Sequence, residues 1–160
     1  MSRVDKSNYY LDIAEVVLER STCFRRQFGA VIVKNDEIIS TGYNGAARGC
    51  ENCLDLGVCV REHLGIGKGQ RYELCRAVHA EMNAIISVSR AELLDSTLYI
   101  ACHYNNELYG DVEPCMLCKR LIINSGIKKV LVRETKTEYK ILTVEDWVKN
   151  DKPLEDKAGY

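Results

Sequence analysis

The sequence has almost no net charge, no long apolar run and little proline, and each shortage closes off a class of function. A formal charge of -1 gives no electrostatic reason to expect a nucleic acid or an anionic membrane as partner. No apolar stretch approaches the roughly twenty residues of a membrane-spanning helix. The opening MSRVDKSNYY lacks the apolar centre of a signal peptide, so a cytoplasmic location is expected. Two prolines, with no internal repeat and no linker-like stretch, point to one continuous domain.

What is present fits an ordinary folded chain. Its 160 residues, 46% hydrophobic and 28% charged, suffice for a domain with a well-buried core. Cysteine is the exception. The eight are Cys23, Cys50, Cys53, Cys59, Cys75, Cys102, Cys115 and Cys118, and in a reducing compartment they are metal ligands or core residues before they are disulfides. Half of them fall between Cys50 and Cys75, in a Cys-rich insertion at about 45–76 with little hydrophobic periodicity. A segment that buries little apolar surface of its own is well served by a metal staple.

The rest of the chain reads as alternating strands and helices. YYLDIAEVVLER places Tyr10, Ile13, Ala14, Val17 and Leu18 on one face of an amphipathic helix. FGAVIVKNDEIISTGYNG reads as two strands joined at Lys34-Asn35-Asp36, residues that tolerate the left-handed backbone of a tight hairpin. CVREHLG suits a short helix, and a longer helix from about His79 to Arg90 aligns Met82, Ile85, Ile86 and Ser89. STLYIAC and IKKVLV are strands separated by the helix PCMLCKRLIINSG. Pro114 suits that helix's first position and Gly126 the position past its last. A strand–helix–strand crossover is right-handed and makes its two strands parallel. YKIL adds an edge strand, and TVEDWVKND a closing helix with Thr143 as N-cap. The expected fold class is α/β: a three-layer α/β/α sandwich around a mixed sheet of about five strands, spanning 1–160 as one domain.

Two helix beginnings carry the chemistry. In AVHAEMNAI, His79 and Glu81 stand two positions apart, a spacing that points side chains away from each other along a helix. They converge only at the helix mouth. In PCMLC, Cys115 and Cys118 share one face at the amino end, where free N–H groups and the helix dipole favour thiolate over thiol. A C-x-x-C pair alone also serves redox sites and structural zinc. Together, His79-Ala80-Glu81 and Pro114-Cys115-x-x-Cys118 match the H-x-E…P-C-x-x-C signature of the zinc-dependent nucleobase deaminases. One imidazole and two thiolates leave the fourth position of a tetrahedral zinc open, as in a catalytic rather than a structural site. Glu81 is then not a ligand but a proton carrier.

Beyond that signature, RRQFGAVIV, STGYNGAARGC, HAEMNAII and PCMLCKRLIINSGIKKV together resemble the deoxycytidylate (dCMP) deaminases, from about Cys23 to Val132. The resemblance implies a cytidine deaminase-like fold, a catalytic zinc on His79, Cys115 and Cys118, and Glu81 as catalytic carboxylate. The implied reaction is hydrolytic deamination of dCMP to dUMP with release of ammonia. The resemblance also places Asn44 of GYNG at the sugar and phosphate end of the nucleotide and the Ala80 backbone N–H on the pyrimidine carbonyl. It puts Arg26 near the phosphate, where a guanidinium fork suits a dianion; Arg25 is the alternative. One departure is HYNNELYGDVE, longer and more acidic than the family's usual link before Pro114. It reaches the rim of the site, where Tyr104 or Tyr109 is placed to close over the substrate. His103 is not required, because the catalytic ligand set is complete without it.

Some members of the family carry a second, structural zinc in the insertion, and the resemblance implies one here on Cys23, Cys53, Cys59 and Cys75. Zinc with four thiolates carries a formal charge of about -2, with Arg25, Arg26, Arg61 and Arg76 nearby to offset it. Family members are commonly homo-oligomers, often hexamers, and several respond to dCTP and dTTP; NGAARGC lies in the loop associated with that regulation. Two readings compete with dCMP deamination. One is a deaminase of another nucleoside, nucleotide or nucleobase. The other is a nucleotide-sensing protein of the same fold, against which the presence of Glu81 weighs.

Overall fold

In the computed structural model, which describes residues 2–152, the chain begins with α1 (Lys6–Leu18), β1 (Gln27–Lys34), β2 (Glu37–Tyr43) and β3 (Gly45–Ala46). The Cys-rich insertion holds α2 (Cys53–Leu56), α3 (Val60–His63) and a 3₁₀ turn at Tyr72–Leu74. β4 (Ala77–Val78), α4 (Ala80–Ile86), α5 (Arg90–Leu93), β5 (Thr97–Tyr104) and β6 (Glu107–Leu108) follow. The chain then passes through α6 (Met116–Ser125), β7 (Lys129–Arg133), β8 (Tyr139–Thr143) and α7 (Val144–Lys149). Residue 1 and residues 153–160 of the expected 1–160 span lie outside the described residues.

The main sheet has the order β2-β1-β5-β7-β8, with β6 folded back on β5. Neighbours along it are antiparallel except β5 and β7, which run parallel from Thr97↔Lys129 to Ile100↔Val132. That is the crossover expected of two strands joined through a helix. Helices cover both faces, so β1 and β5 are each buried over five consecutive residues and show no polar–apolar alternation. Alternate residues still part company: Ala30, Ile32, Leu98 and Ile100 join a core with α4 and α6, while Val31, Val33, Tyr99 and Ala101 join another with α1. The turn between β1 and β2 uses Asn35 and Asp36 at φ of 50° and 65°, as the hairpin reading requires.

Asp5 caps α1 by accepting the Asn8 N–H at 3.0 Å. The helix buries Tyr10, Leu11, Ala14 and Leu18, with Ile13 and Val17 packed at the edge; the expected stripe is widened by Leu11. It is tied down by Arg133 of β7, which is completely buried. That guanidinium pairs with Asp12, lies 3.0 Å from Glu15 Oε1, and donates to the Asn8 and Lys136 carbonyls at 3.1 and 2.9 Å. A buried cation is tolerated when it is paired and hydrogen-bonded in this way.

Two glycines set how closely helices approach the sheet. A Cβ on Gly29 would stand 2.0 Å from the Ala14 carbonyl oxygen; one on Gly42 would stand 2.3 Å from the Ala80 carbonyl oxygen and 2.5 Å from the Ala84 nitrogen. α1 and α4 therefore rest backbone on backbone, from opposite faces of the sheet, where no side chain fits.

Several local expectations are corrected. The helix expected from His79 to Arg90 is two: α4 ends at Ile86, and Ser89 starts α5 in a capping box with Glu92. The buried face of α4 is Ala80, Glu81 and Ala84, and Ile86 is 72% exposed, because the contact at Gly42 admits only small residues. Pro114 stands one place before the N-cap Cys115 rather than inside α6, which closes at Gly126 with φ 88°. Thr143 is the N-cap of α7 but makes no side-chain capping bond. HYNNELYGDVE is less a loop than a hairpin: β5 runs on to Tyr104, turns through Asn105 and Asn106 at φ 53° and 62°, and returns as β6. Gly110 then packs so tightly that a Cβ there would stand 2.2 Å from the Glu134 carbonyl oxygen. β3 and β4, unforeseen, pair Gly45 with Val78 and Ala46 with Ala77, clipping together the two ends of the insertion. Among the described residues no helix is long and apolar enough to cross a membrane.

Gly42→Ala is expected to cost ~2 kcal/mol, because the added methyl must push α4 off the sheet. Gly67→Ala, whose Cβ would meet only the Gln70 side chain at 3.4 Å, should stay within about 0.5 kcal/mol of the parent. Urea unfolding of the two variants side by side measures the difference.

Candidate active site

α4 and α6 pack together and begin beside one cavity of about 350 Å³. His79 is the N-cap of α4 and Cys115 that of α6, both in extended backbone with ψ of 153° and 166°. Helical rotation starts only after these residues, so His79 and Glu81 escape the divergence that their spacing would impose inside a helix. Nδ1 of His79 lies 3.4 Å from Sγ of both Cys115 and Cys118. Among the described residues these three form the cluster whose ligand atoms all fall within 4.8 Å of one another. One imidazole and two thiolates are a donor set that suits zinc.

The caps themselves carry a signal. Asp5, Asn52 and Ser89 cap their helices through side-chain hydrogen bonds, as these residue types do. His79, Cys115 and Cys59 occupy N-cap positions without one. Their side chains are left for something other than the backbone.

Electrostatics at the cluster follow from crowding and burial. The Cys115 thiol is held down at about 4, chiefly by its hydrogen bond with Cys118 and then by His79, against the upward push of burial. Cys118 is pushed upward by that same hydrogen bond, by burial and by the charge of Glu81. Burial would lower His79, but the Cys115 sulfur and the Glu81 charge outweigh it and raise the imidazole's pKa. Glu81 is 5% exposed, and burial lifts its carboxyl above the ordinary range despite the nearby His79 charge. A carboxyl raised in this way holds a proton more readily than a free one, which suits a group that must both take and give one.

The residues expected at the substrate are unequally placed. Ala80 is buried at the start of α4 and lines the cavity, and first-turn N–H groups have no intrahelical acceptor. Asn44 lines it too, but its amide is largely spent. Its Oδ1 accepts from the Phe28 N–H at 2.8 Å and the Ser21 hydroxyl at 2.6 Å, and its Nδ2 donates to the Arg26 carbonyl at 2.9 Å. One amide hydrogen is left, and the main work of Asn44 is to hold the chain at Arg26, just before β1. Arg25 is paired with Glu62 at 3.2 Å. The Arg26 guanidinium lies 4.6 Å from the Tyr109 ring centroid, so Tyr109 supports Arg26 from the side. Tyr104 packs against Tyr109 and is 46% exposed. His103 faces Glu15 at 3.7 Å, with no part in the ligand cluster.

The four cysteines of the insertion set, Cys23, Cys53, Cys59 and Cys75, also line the cavity, without the close gathering seen at His79. Two further residues line it: Tyr72, which nothing in the sequence singles out, and Arg61, expected only as a counter-charge to the insertion's thiolates. Tyr72 sets its ring edge-on to His79, with centroids 5.3 Å apart and planes at 87°, and Arg61 lies over Tyr72 at 4.8 Å. A buried arginine inside a segment without periodicity leaves no pattern to find.

Comparison with known proteins agrees with this geometry. The sequence profile described as the cytidine and deoxycytidylate deaminase zinc-binding region matches residues 4–134. A deoxycytidylate deaminase of Mycobacterium phage D29 is 38% identical over 136 residues, 82% of this chain and 96% of that protein. The deoxycytidylate deaminase of Schizosaccharomyces pombe is 33% identical over 124 residues, 78% of this chain but only 35% of that protein's length. The apo crystal structure of dCMP deaminase from cyanophage S-TIM5 has a TM-score of 0.56 at 25% identity, covering 81% of this chain and 82% of that one. With a profile matched over most of its length and a relative matched almost end to end, the chain belongs to the cytidine and deoxycytidylate deaminase family.

Proposed function

We propose that this protein deaminates dCMP hydrolytically to dUMP, releasing ammonia. The observation that carries the reading is the His79, Cys115 and Cys118 cluster with the buried carboxyl of Glu81 beside it at a cavity that arginines line. The choice of nucleotide is supported by the phage D29 relative, which is named a deoxycytidylate deaminase and matches over 96% of its length.

The three clustered residues would hold a zinc ion, which when bound supplies Lewis acidity that lowers the pKa of water to about 7. Glu81 takes a proton from the attacking water and passes it to the ring nitrogen, then moves the remaining proton of the added hydroxyl to the amino group, so that the carbon–nitrogen bond breaks and ammonia leaves. Its raised pKa suits it to do both. The Ala80 N–H holds the pyrimidine carbonyl, while Arg26, backed by Tyr109 and anchored through Asn44, faces the phosphate end. A sensor of the same fold would have no use for a buried carboxyl among metal ligands.

A second, structural zinc belongs to the same reading, on Cys23, Cys53, Cys59 and Cys75. Burial first, and then the charges of Cys23 and Cys59 and that of Cys75, push the Cys53 thiol upward, so these thiols sense one another and a bound cation would relieve them. Cys59 as an unbonded N-cap fits the same role. All eight cysteines are free thiols, which suits a reducing cytoplasm. A homo-oligomer is carried over from the family resemblance. A hexamer regulated by dCTP and dTTP rests on the family resemblance alone.

Glu81→Gln should keep its zinc and lose about 10³-fold in ammonia release from dCMP; full activity in that variant would end the proposal. Elemental analysis of the parent should find two zinc ions per chain, and of Cys59→Ser one. A single zinc in both, with unchanged melting temperature, would remove the second site.

A further inference from the structure

The insertion reaches the catalytic cluster through one aromatic ring. Tyr72 stands edge-on to the His79 imidazole, with centroids 5.3 Å apart and planes at 87°. In that geometry the positive edge of one ring meets the negative face of the other, and the two attract. The imidazole thus has two sets of neighbours: the Cys115 and Cys118 sulfurs at Nδ1, each at 3.4 Å, and the Tyr72 ring. Its own helix does little to fix it. Inside a helix the preceding turn restricts side-chain rotation, but His79 is an N-cap in extended backbone and makes no capping bond. A neighbour must set the plane of this ring.

Tyr72 is mounted to do so. It opens the 3₁₀ turn Tyr72–Leu74, entered through Arg71 at φ 48°, a left-handed conformation uncommon for a residue with a side chain. The Arg61 guanidinium lies 4.8 Å from the Tyr72 ring centroid and donates through Nη2 to the Gly67 and Gln70 carbonyls at 2.8 and 2.6 Å. It therefore closes the loop that leads into Tyr72 and covers the face of the ring. Arg61 is 7% exposed, and its Nε is buried with no hydrogen-bond partner, a costly way to hold a loop. Tyr72 also packs at the edge of the core shared by α4 and α6. A residue that only filled that edge would need neither a perpendicular ring nor an arginine over its face.

We propose that Tyr72, clamped by Arg61, is a positioning residue that sets the plane of the His79 imidazole and keeps Nδ1 turned toward the two sulfurs. This rests on the reading of His79, Cys115 and Cys118 as a metal centre. Removing a group that orients a metal-binding histidine weakens the metal about 10- to 100-fold, and a single aromatic edge contact belongs at the lower end of that range. The insertion then serves the reaction by holding a ligand still, without touching substrate.

The test uses the full-length protein with Tyr72→Phe and Tyr72→Leu, loaded with cobalt(II) in place of zinc. A site of one nitrogen and two sulfurs absorbs differently from one of four sulfurs, so the two centres are read separately. In chelator competition Tyr72→Leu should weaken cobalt at the mixed site about tenfold and shift its absorption, while Tyr72→Phe stays within about twofold of the parent. With zinc saturating, Tyr72→Leu should lower kcat for dCMP about tenfold and hold KM within about threefold. An unchanged mixed site in Tyr72→Leu overturns the proposal. So does weakening confined to the four-sulfur site, which makes Tyr72 a part of the insertion alone, or a loss confined to KM, which makes it a substrate contact. Equal losses in Tyr72→Phe assign the effect to the hydroxyl and overturn it as well. Should Tyr72→Leu fail to fold, the zinc-loaded parent decides: nuclear Overhauser contacts between the His79 and Tyr72 ring protons are expected, and their absence overturns the proposal. If cobalt affinity follows the ring while the parent turns over no cytosine nucleotide, the deaminase reading fails and the positioning role stands.

Discussion

Backbone contact between α4 and β2 at Gly42 is the constraint from which the site follows. Because no side chain separates the two elements, α4 lies at a fixed height on the sheet, and its first residues open at one point beside α6. His79 and Cys115 occupy equivalent positions at the two helix starts, so the ligand cluster is positioned by packing rather than by loops. Rigid elements hold reacting groups better than flexible ones do. The buried Ala80 and Ala84 show what this closeness demands of α4, since a larger residue at either position would lift the helix away.

The same helix starts reveal a trade between stability and chemistry. A serine or aspartate at position 79 or 115 would satisfy first-turn N–H groups and add about 1 kcal/mol to each helix. The chain places an imidazole and a sulfur there instead. Asp5, Asn52 and Ser89 cap in the ordinary way, and Thr143 and Cys59 share the lack of a side-chain bond, but at His79 and Cys115 the uncapped side chains are the ones that gather at the cluster. Burial adds to the effect by lifting the Glu81 carboxyl.

Much of this was legible in the sequence, and the reasons differ by element. The β5–α6–β7 crossover was readable because Pro114 and Gly126 punctuate a helix between two apolar runs. The hairpin was readable from Asn35 and Asp36, and the ligand cluster from its match to the H-x-E…P-C-x-x-C signature. The break after Ile86 was hidden because Ser89 and Glu92, which form the α5 cap, also sit comfortably in a continuous helix. The small buried face of α4 depends on Gly42, a residue in another element. β6 was missed because an Asn-Asn turn in a polar stretch resembles a loop. The pairing of β3 with β4 joins residues on either side of the whole insertion, and local patterns are blind to it. Arg61 and Tyr72 belong to the same class: their importance comes from what lies against them, and only three dimensions show that.

The short β3–β4 pairing has a consequence for how such a chain can change. It joins the chain on both sides of the insertion at Gly45–Ala46 and Ala77–Val78, a narrow neck beyond which the segment touches the scaffold through the Arg25–Glu62 pair and Tyr72 against His79. Doubling the length of a flexible closed segment costs only about 0.6 kcal/mol. Evolution can therefore lengthen, trim or exchange this cassette with little disturbance to the sheet. Substrate preference and metal content can drift in such a chain while the reaction centre stays where it is.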